Sequence, residues 1–156
     1  MSELSLSELN RFIVKAKAAT YVGSGQKSPS HRPGSHDLEF HDAPFDYLDS
    51  YFGESDFIGQ EVVYFEGQPV WAMNYYGYIL KPDLITAADA GQVIKASLSK
   101  LYEEGRFLGG FAFQSGDYTY IDTNEGDFTH FIGKEFVTCG EITVYELVYH
   151  GGLVKS

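Results

Sequence analysis

The residues best equipped for chemistry in this 156-residue chain are an arginine, a few histidines and two carboxylates placed at matching points of a recurring motif. His31-Arg32-Pro33-Gly34-Ser35-His36-Asp37 combines a planar guanidinium fork, side chains that change charge near neutral pH, and a Pro-Gly pair that fixes a backbone path. Such a loop beside aromatic strands is what a small-ligand pocket requires; its competing reading is that Arg32 and the histidines pair with acidic partners and pin the chain down. Glu61 follows Phe57-Ile58-Gly59-Gln60, and Glu135 follows Phe131-Ile132-Gly133-Lys134, so each glutamate sits at the same point of a Phe-Ile-Gly-x-Glu motif. A glutamate at that point is a paired buried or catalytic carboxylate, a cross-strand partner of a lysine, or simply solvated. The expected ligand-binding set is Arg32, His36, Asp37, Glu61, Trp71, Tyr76, Arg106, Glu135 and His150, in a pocket between the two halves of the chain, with no catalytic residue assigned.

Other motifs fail on their spacing. Gly23-Ser24-Gly25-Gln26-Lys27-Ser28 lacks a Gly-Lys dipeptide and follows a helical pattern instead of a strand, so it is no phosphate loop. Gly110-Phe111-Ala112-Phe113 echoes an RNA-recognition strand without its basic residue and reads as core. The five histidines have no i, i+4 pair, no Gly-x-Ser-x-Gly elbow exists, and Cys139 is alone. Two acidic stretches, Asp49/Glu54/Asp56 and Asp122/Glu125/Asp127, carry hard oxygen ligands without an EF-hand pattern. No metal and no cofactor are expected.

These residues need elements to hold them. Leu6, Leu9, Phe12, Ile13, Ala16 and Ala19 recur at helical spacing, predicting a helix over about 5–20 that Gly23 stops. Residues 22–36 form a Gly/Ser/Pro-rich, basic loop. Strand patterns follow at about 37–41, 45–52, 57–66 and 69–79, then a helix over 84–104, then strands at about 110–114, 117–122, 130–138 and 141–150. Strand parity puts Trp71, Met73 and Tyr75, and likewise Tyr145, Leu147 and Tyr149, on faces covered by the helices. The order helix, four strands, helix, four strands runs with the recurrence of Phe-Ile-Gly-x-Glu at an offset of 131 − 57 = 74. The expected fold is therefore α+β, an internally duplicated helix-plus-four-antiparallel-strands unit with pseudo-two-fold symmetry. It occupies one domain over 1–156, with repeat 1 at about 5–79 and repeat 2 at about 84–151.

Charge and composition bound the function. The net charge of −11 splits into 5 − 2 = +3 over residues 1–36 and 6 − 20 = −14 over residues 37–156. The acidic body opposes nucleic acid, and the basic segment reads as folding back onto it. The hydrophobic fraction of 44% excludes disorder, and one cysteine excludes a disulfide scaffold. No apolar run is long enough for a membrane span and no signal-peptide core is seen, so a cytoplasmic protein without a membrane partner is expected.

Arg32-Pro33-Gly34-Ser35-His36-Asp37, Asp49-Ser50-Tyr51-Phe52-Gly53, Asp56-Phe57-Ile58-Gly59-Gln60-Glu61, Trp71-Ala72-Met73-Asn74-Tyr75-Tyr76-Gly77, Glu104-Gly105-Arg106-Phe107-Leu108-Gly109-Gly110, Asn124-Glu125-Gly126-Asp127-Phe128 and Tyr149-His150-Gly151-Gly152 together resemble a bacterial domain-of-unknown-function family. Its members occur alone or C-terminal to XRE-type helix-turn-helix regulators, and this chain resembles the stand-alone form. The resemblance implies an effector-sensing or assembly role and carries over no catalytic residues. The leading expectation is thus a small-molecule-binding or sensory domain. The alternatives are a hydrolase or lyase using His36 or His150 with Glu61 or Glu135, and a protein-interaction or dimerisation module forming a homodimer.

Overall fold

The computed structural model describes residues 3–22 and 26–156; Gly23 to Gly25, within the predicted loop, lie outside the described residues. Helix α1 spans Leu6–Lys17. Ser5 caps it by accepting the Glu8 amide, and Leu9, Phe12, Ile13 and Ala16 form its buried stripe. Lys17 stands four residues after Ile13 and so falls on that same stripe, with only 2% of its surface exposed. A π-helical turn, Ala18–Val22, continues α1 and carries Tyr21 inward beside it. Helix α2, Ala87–Glu103, is capped by Thr86 and buries Ala90, Val93, Ser97, Leu98, Leu101 and Tyr102. Gly105, at φ 76°, follows its last turn in the left-handed conformation that ends many helices.

Nine strands make one antiparallel sheet: β1 Gln26–Ser28, β2 His36–Asp42, β3 Phe45–Gly53, β4 Phe57–Phe65, β5 Gln68–Ile79, β6 Phe111–Ser115, β7 Tyr118–Asp127, β8 His130–Cys139 and β9 Ile142–Leu153. Their spatial order is β1-β2-β3-β4-β5-β9-β8-β7-β6. Both helices cover one face, α1 against β2 and β3 and α2 against β6 and β7.

This arrangement corrects the expected duplicated fold. No boundary separates two helix-plus-four-strand units, because β5 and β9 pair continuously from Trp71↔Leu153 to Ile79↔Tyr145 and merge all strands into one sheet. The loop predicted over 22–36 also contributes a strand, β1, which pairs with β2 on one flank only, and only α1 has a π-helical continuation. The recurring Phe-Ile-Gly-x-Glu has a local cause instead. Gly59 and Gly133 are crossed by the rings of Tyr75 and Tyr149, which leave no room for a Cβ, and the glutamate two residues on faces the helices.

The buried face is the one that parity selects. Trp71, Met73, Tyr75, Tyr145, Leu147 and Tyr149 are all buried beneath the helices.

Candidate functional site: a carboxyl–tyrosine cavity beneath α2

Strand register brings acids together in the core. Asp49 on β3 lies directly opposite Glu61 on β4, and Asp122 on β7 lies directly opposite Glu135 on β8. All four are buried, Asp49 and Glu61 fully. Directly opposed like charges are destabilising in any sheet, and burial removes the water that would screen them.

Tyrosines satisfy part of this demand. The Tyr75 ring passes over Gly59 and its hydroxyl donates to Asp49 Oδ1 at 2.6 Å, while Tyr149 passes over Gly133 to reach Asp122 Oδ1 at 2.6 Å. Tyr47 donates to Glu61 at 2.7 Å, and Tyr120 to Glu135 at 2.7 Å.

The two glutamates differ in what else they meet. Glu61 also accepts two bonds from Lys17 Nζ, at 2.9 and 3.1 Å, and one from Tyr21 at 3.0 Å. The Lys17 ammonium is further surrounded by the Met73 sulfur at 3.5 Å and by the rings of Phe107, Trp71 and Tyr21 at 5.0, 5.7 and 5.8 Å. Glu135 has no such cation; among the described residues neither it nor Asp122 forms an ion pair, and Lys17 and Arg106 act on Asp122 only at longer range. Burial, then Asp122, pushes the Glu135 carboxyl up to about 8. Burial raises Asp122 to about 6, and burial followed by the Glu61 charge raises Asp49 to about 7. Near neutral pH part of this cluster therefore holds protons.

Between these groups and α2 lies a cavity of about 80 Å³, lined by Lys17, Glu61, Asp122 and Glu135 among aromatic and aliphatic walls that include Tyr102, Phe107 and Leu147. One water needs ~10–15 Å³ of such space, so several waters or a ligand of a few heavy atoms fit. A second hollow of about 200 Å³, bordered by Glu54 and Lys95, shares Tyr21, Phe57, Ile94, Leu98 and Tyr145 with it and leads toward the surface. Among the described residues, two buried side-chain polar atoms lack a partner: Asp49 Oδ2 and the hydroxyl of Tyr145, a cavity-lining residue.

A family model described as a domain of unknown function, DUF5680, matches residues 49–154. The chain belongs to this family. The matched span of the DUF5680 domain begins at Asp49 and takes in the four acids of this cluster, whereas Lys17 and Tyr21 precede it. No curated protein and no solved structure matches the chain.

Of the expected ligand-binding set, the DUF5680 domain brings only Glu61 and Glu135 into the cavity. Trp71 stands behind them as a ring over Lys17 and donates its indole N–H to the Phe128 carbonyl. Arg32, Tyr76 and His150 meet on the opposite face of the sheet, in an open groove of about 720 Å³ with Ile58, Gln60 and Asn74. His36 is exposed, its ring tilted against that of Tyr51 with centroids 5.1 Å apart. Asp37 ties its own loop down: burial opposes its charge, but bonds from Ser35, Ser50 and His31 hold it down to about 2. Arg106 folds onto Glu104 and the carbonyls of Leu108 and Gly110. His150 is thus separated from Glu61 and Glu135 by the sheet itself, while His36 shares their face but stays exposed beside Tyr51 at the end of β2 and does not line the cavity, so no His–Glu acid-base pair is assembled.

The acidic stretches likewise do not converge. Asp49 and Asp122 turn into the core, while Asp56 accepts the Ile79 amide and Asp127 binds Thr129. Among the described residues no three His, Cys, Asp or Glu side chains gather as a metal site.

Sequence reasoning missed Lys17, Tyr21, Asp49, Asp122 and the four bridging tyrosines as one cluster. A signal existed for Lys17: it is a lysine on the apolar stripe of α1, four residues after Ile13.

Proposed function

We propose that this DUF5680 domain is a small-molecule-binding domain whose site is the cavity beneath α2. The observation that carries the reading is the convergence of Asp122, Glu135 and the Tyr145 hydroxyl, incompletely satisfied, on a space walled by apolar rings. Folding alone gains nothing from such a group: apolar residues of similar volume would fill the same space at lower cost in desolvation. Apolar walls with a few convergent polar groups of perturbed acidity are also the general form of a ligand pocket. A sensory role fits this reading, because α2 roofs the cavity and occupancy would change how firmly it packs on the sheet.

The test is a thermal-shift screen of small polar compounds at pH 7 against the native chain and Ile94→Phe. Ile94 lines both the cavity and the hollow leading to it, so phenylalanine there fills the path. Compounds that raise the native Tm and leave Ile94→Phe unmoved support the cavity as the site. No stabilising compound, or stabilisation that persists in Ile94→Phe, contradicts it.

A further inference from the structure

The two glutamates of the cluster occupy equivalent register positions, each directly opposite an aspartate and each bonded by a tyrosine two strand positions away on the neighbouring strand, yet only one has a cation. The Glu61 side shows what a complete arrangement looks like in this core. A primary ammonium, that of Lys17, sits on both carboxylate oxygens, against a thioether and three aromatic rings. The Glu135 side repeats the surroundings without the ammonium. It has the opposed Asp122, the tyrosine donor Tyr120 and the rings of Tyr102, Phe107 and Tyr149, and it faces the cavity. Glu61 accepts four hydrogen bonds, whereas Glu135 accepts one, and among the described residues no other donor reaches it.

An independent feature marks the same space as incomplete. The Tyr145 hydroxyl is buried, lines the cavity and has no partner, although a phenolic O–H can both donate and accept. A buried hydroxyl without a partner costs the protein its desolvation, which a ligand atom would recover.

Resting on the reading of this cavity as a ligand site, we propose that its ligand is a small organic cation, a primary ammonium on a short apolar stem. The ammonium sits between Glu135 and Asp122, as Lys17 sits on Glu61, and the stem lies against Tyr102, Phe107 and Leu147. An ammonium offers three donors, enough for Glu135 and Asp122 together. A cavity of about 80 Å³ limits the stem to a few carbons. An anion is opposed by the three carboxyls that line the cavity, and a neutral alcohol would leave the Glu135–Asp122 repulsion to be neutralised by protons alone.

The experiment is an NMR titration of the full chain with methyl-, ethyl-, propyl- and butylammonium, and in parallel with the matching alcohols and carboxylates. The expected result is saturable shifts for Tyr145, Leu147 and Glu135 with the ammonium series alone, weakened at least tenfold in Glu135→Gln. Tyr145→Phe provides a variant that does not threaten folding: it removes an unpartnered hydroxyl near Gly77, so it should raise the Tm of the free protein by ~2–4 °C and leave the ammonium site between Glu135 and Asp122 intact. Alcohols or carboxylates binding in the cavity as tightly as the ammoniums would overturn the cation assignment and leave the cavity reading standing. Binding of none of the three series would overturn the cation assignment; the separate screen with Ile94→Phe then decides the cavity. Ammonium shifts that never saturate, or that survive Glu135→Gln undiminished, mean that the acidic surface alone attracts the probe, and they too overturn it.

Discussion

Gly133→Ala should damage this protein far more than a surface strand substitution, because the Tyr149 ring occupies the place of the new methyl group. All three nearest atoms to an ideal Cβ at Gly133 belong to Tyr149, and even the third, Cε2, would lie at 2.6 Å. Carbon atoms pack at ~3.5–4.0 Å, so the ring must retreat by at least ~0.9 Å. Its hydroxyl is anchored at 2.6 Å on Asp122 Oδ1, and a retreat of that size breaks the bond. The overpacking costs ~1–3 kcal/mol, and the buried acid deprived of its donor another ~1–3 kcal/mol. Replacing a strand glycine returns ~0.5–1 kcal/mol, which leaves a net loss of ~1–5 kcal/mol and a fall in Tm of ~2–20 °C for a chain of this length. Tyr149→Ala alone should cost ~3–5 kcal/mol. In that background Gly133→Ala should be neutral within ~1 kcal/mol, so urea denaturation of the four proteins should give a coupling of at least ~2 kcal/mol. Gly151→Ala is the control, since its Cβ would meet the backbone carbonyl of Ala72, which truncating a side chain cannot relieve. Additive effects of Gly133→Ala and Tyr149→Ala would refute the account of the motif.

Lys17→Met should lower stability by ~3–5 kcal/mol in urea, because it strips the ammonium from a fully buried Glu61, and Lys17→Met/Glu61→Gln should regain a large part of that loss. Stability should also fall as pH rises from about 5 to 8. Asp49, Asp122 and Glu135, raised to about 7, 6 and 8, keep protons in the folded state over a window in which the unfolded chain has already released them. Urea midpoints measured across that window should decline and level off above pH 8; a rise with pH would contradict the raised acidities. Asp37 works in the opposite sense: held down to about 2, it stabilises the 30–37 loop above pH 4, and that contribution is lost on acidification toward pH 2. Ser50→Ala should therefore weaken the loop's protection from hydrogen exchange at pH 5–7, while leaving the cavity carboxyls unmoved.

Much of the fold was legible because alternation and helical spacing are local. Every strand boundary predicted between 37 and 150 falls within a few residues of the observed one, although β7 runs on to Asp127. Parity alone found the buried faces of β5 and β9. What spacing could not give was the pairing of β5 with β9, which joins residues about seventy positions apart and turns two look-alike halves into one sheet. The site suffered from the same blindness. Polar residues in the 31–37 loop drew notice because arginine and histidine are versatile, yet Arg32 lies across the sheet from Glu61 and Glu135, and His36 stays exposed beside Tyr51 outside the cavity. Asp49 and Asp122 read as loop ligands when taken with their acidic neighbours, but each alternates inward on its strand, opposite a glutamate. Tyr75 and Tyr149 read as core, which they are; their second role depends on a glycine on the adjacent strand over which the ring can cross.

The central claim is that the acids beneath α2 form a cluster too crowded to ionise fully at neutral pH, and so one poised to accept a cation. A ¹³C NMR titration of the side-chain carboxyls in the native chain tests it most directly. The account predicts midpoints raised to about 8 for Glu135, about 7 for Asp49 and about 6 for Asp122. Ordinary carboxyl midpoints near 4 for all three would contradict it.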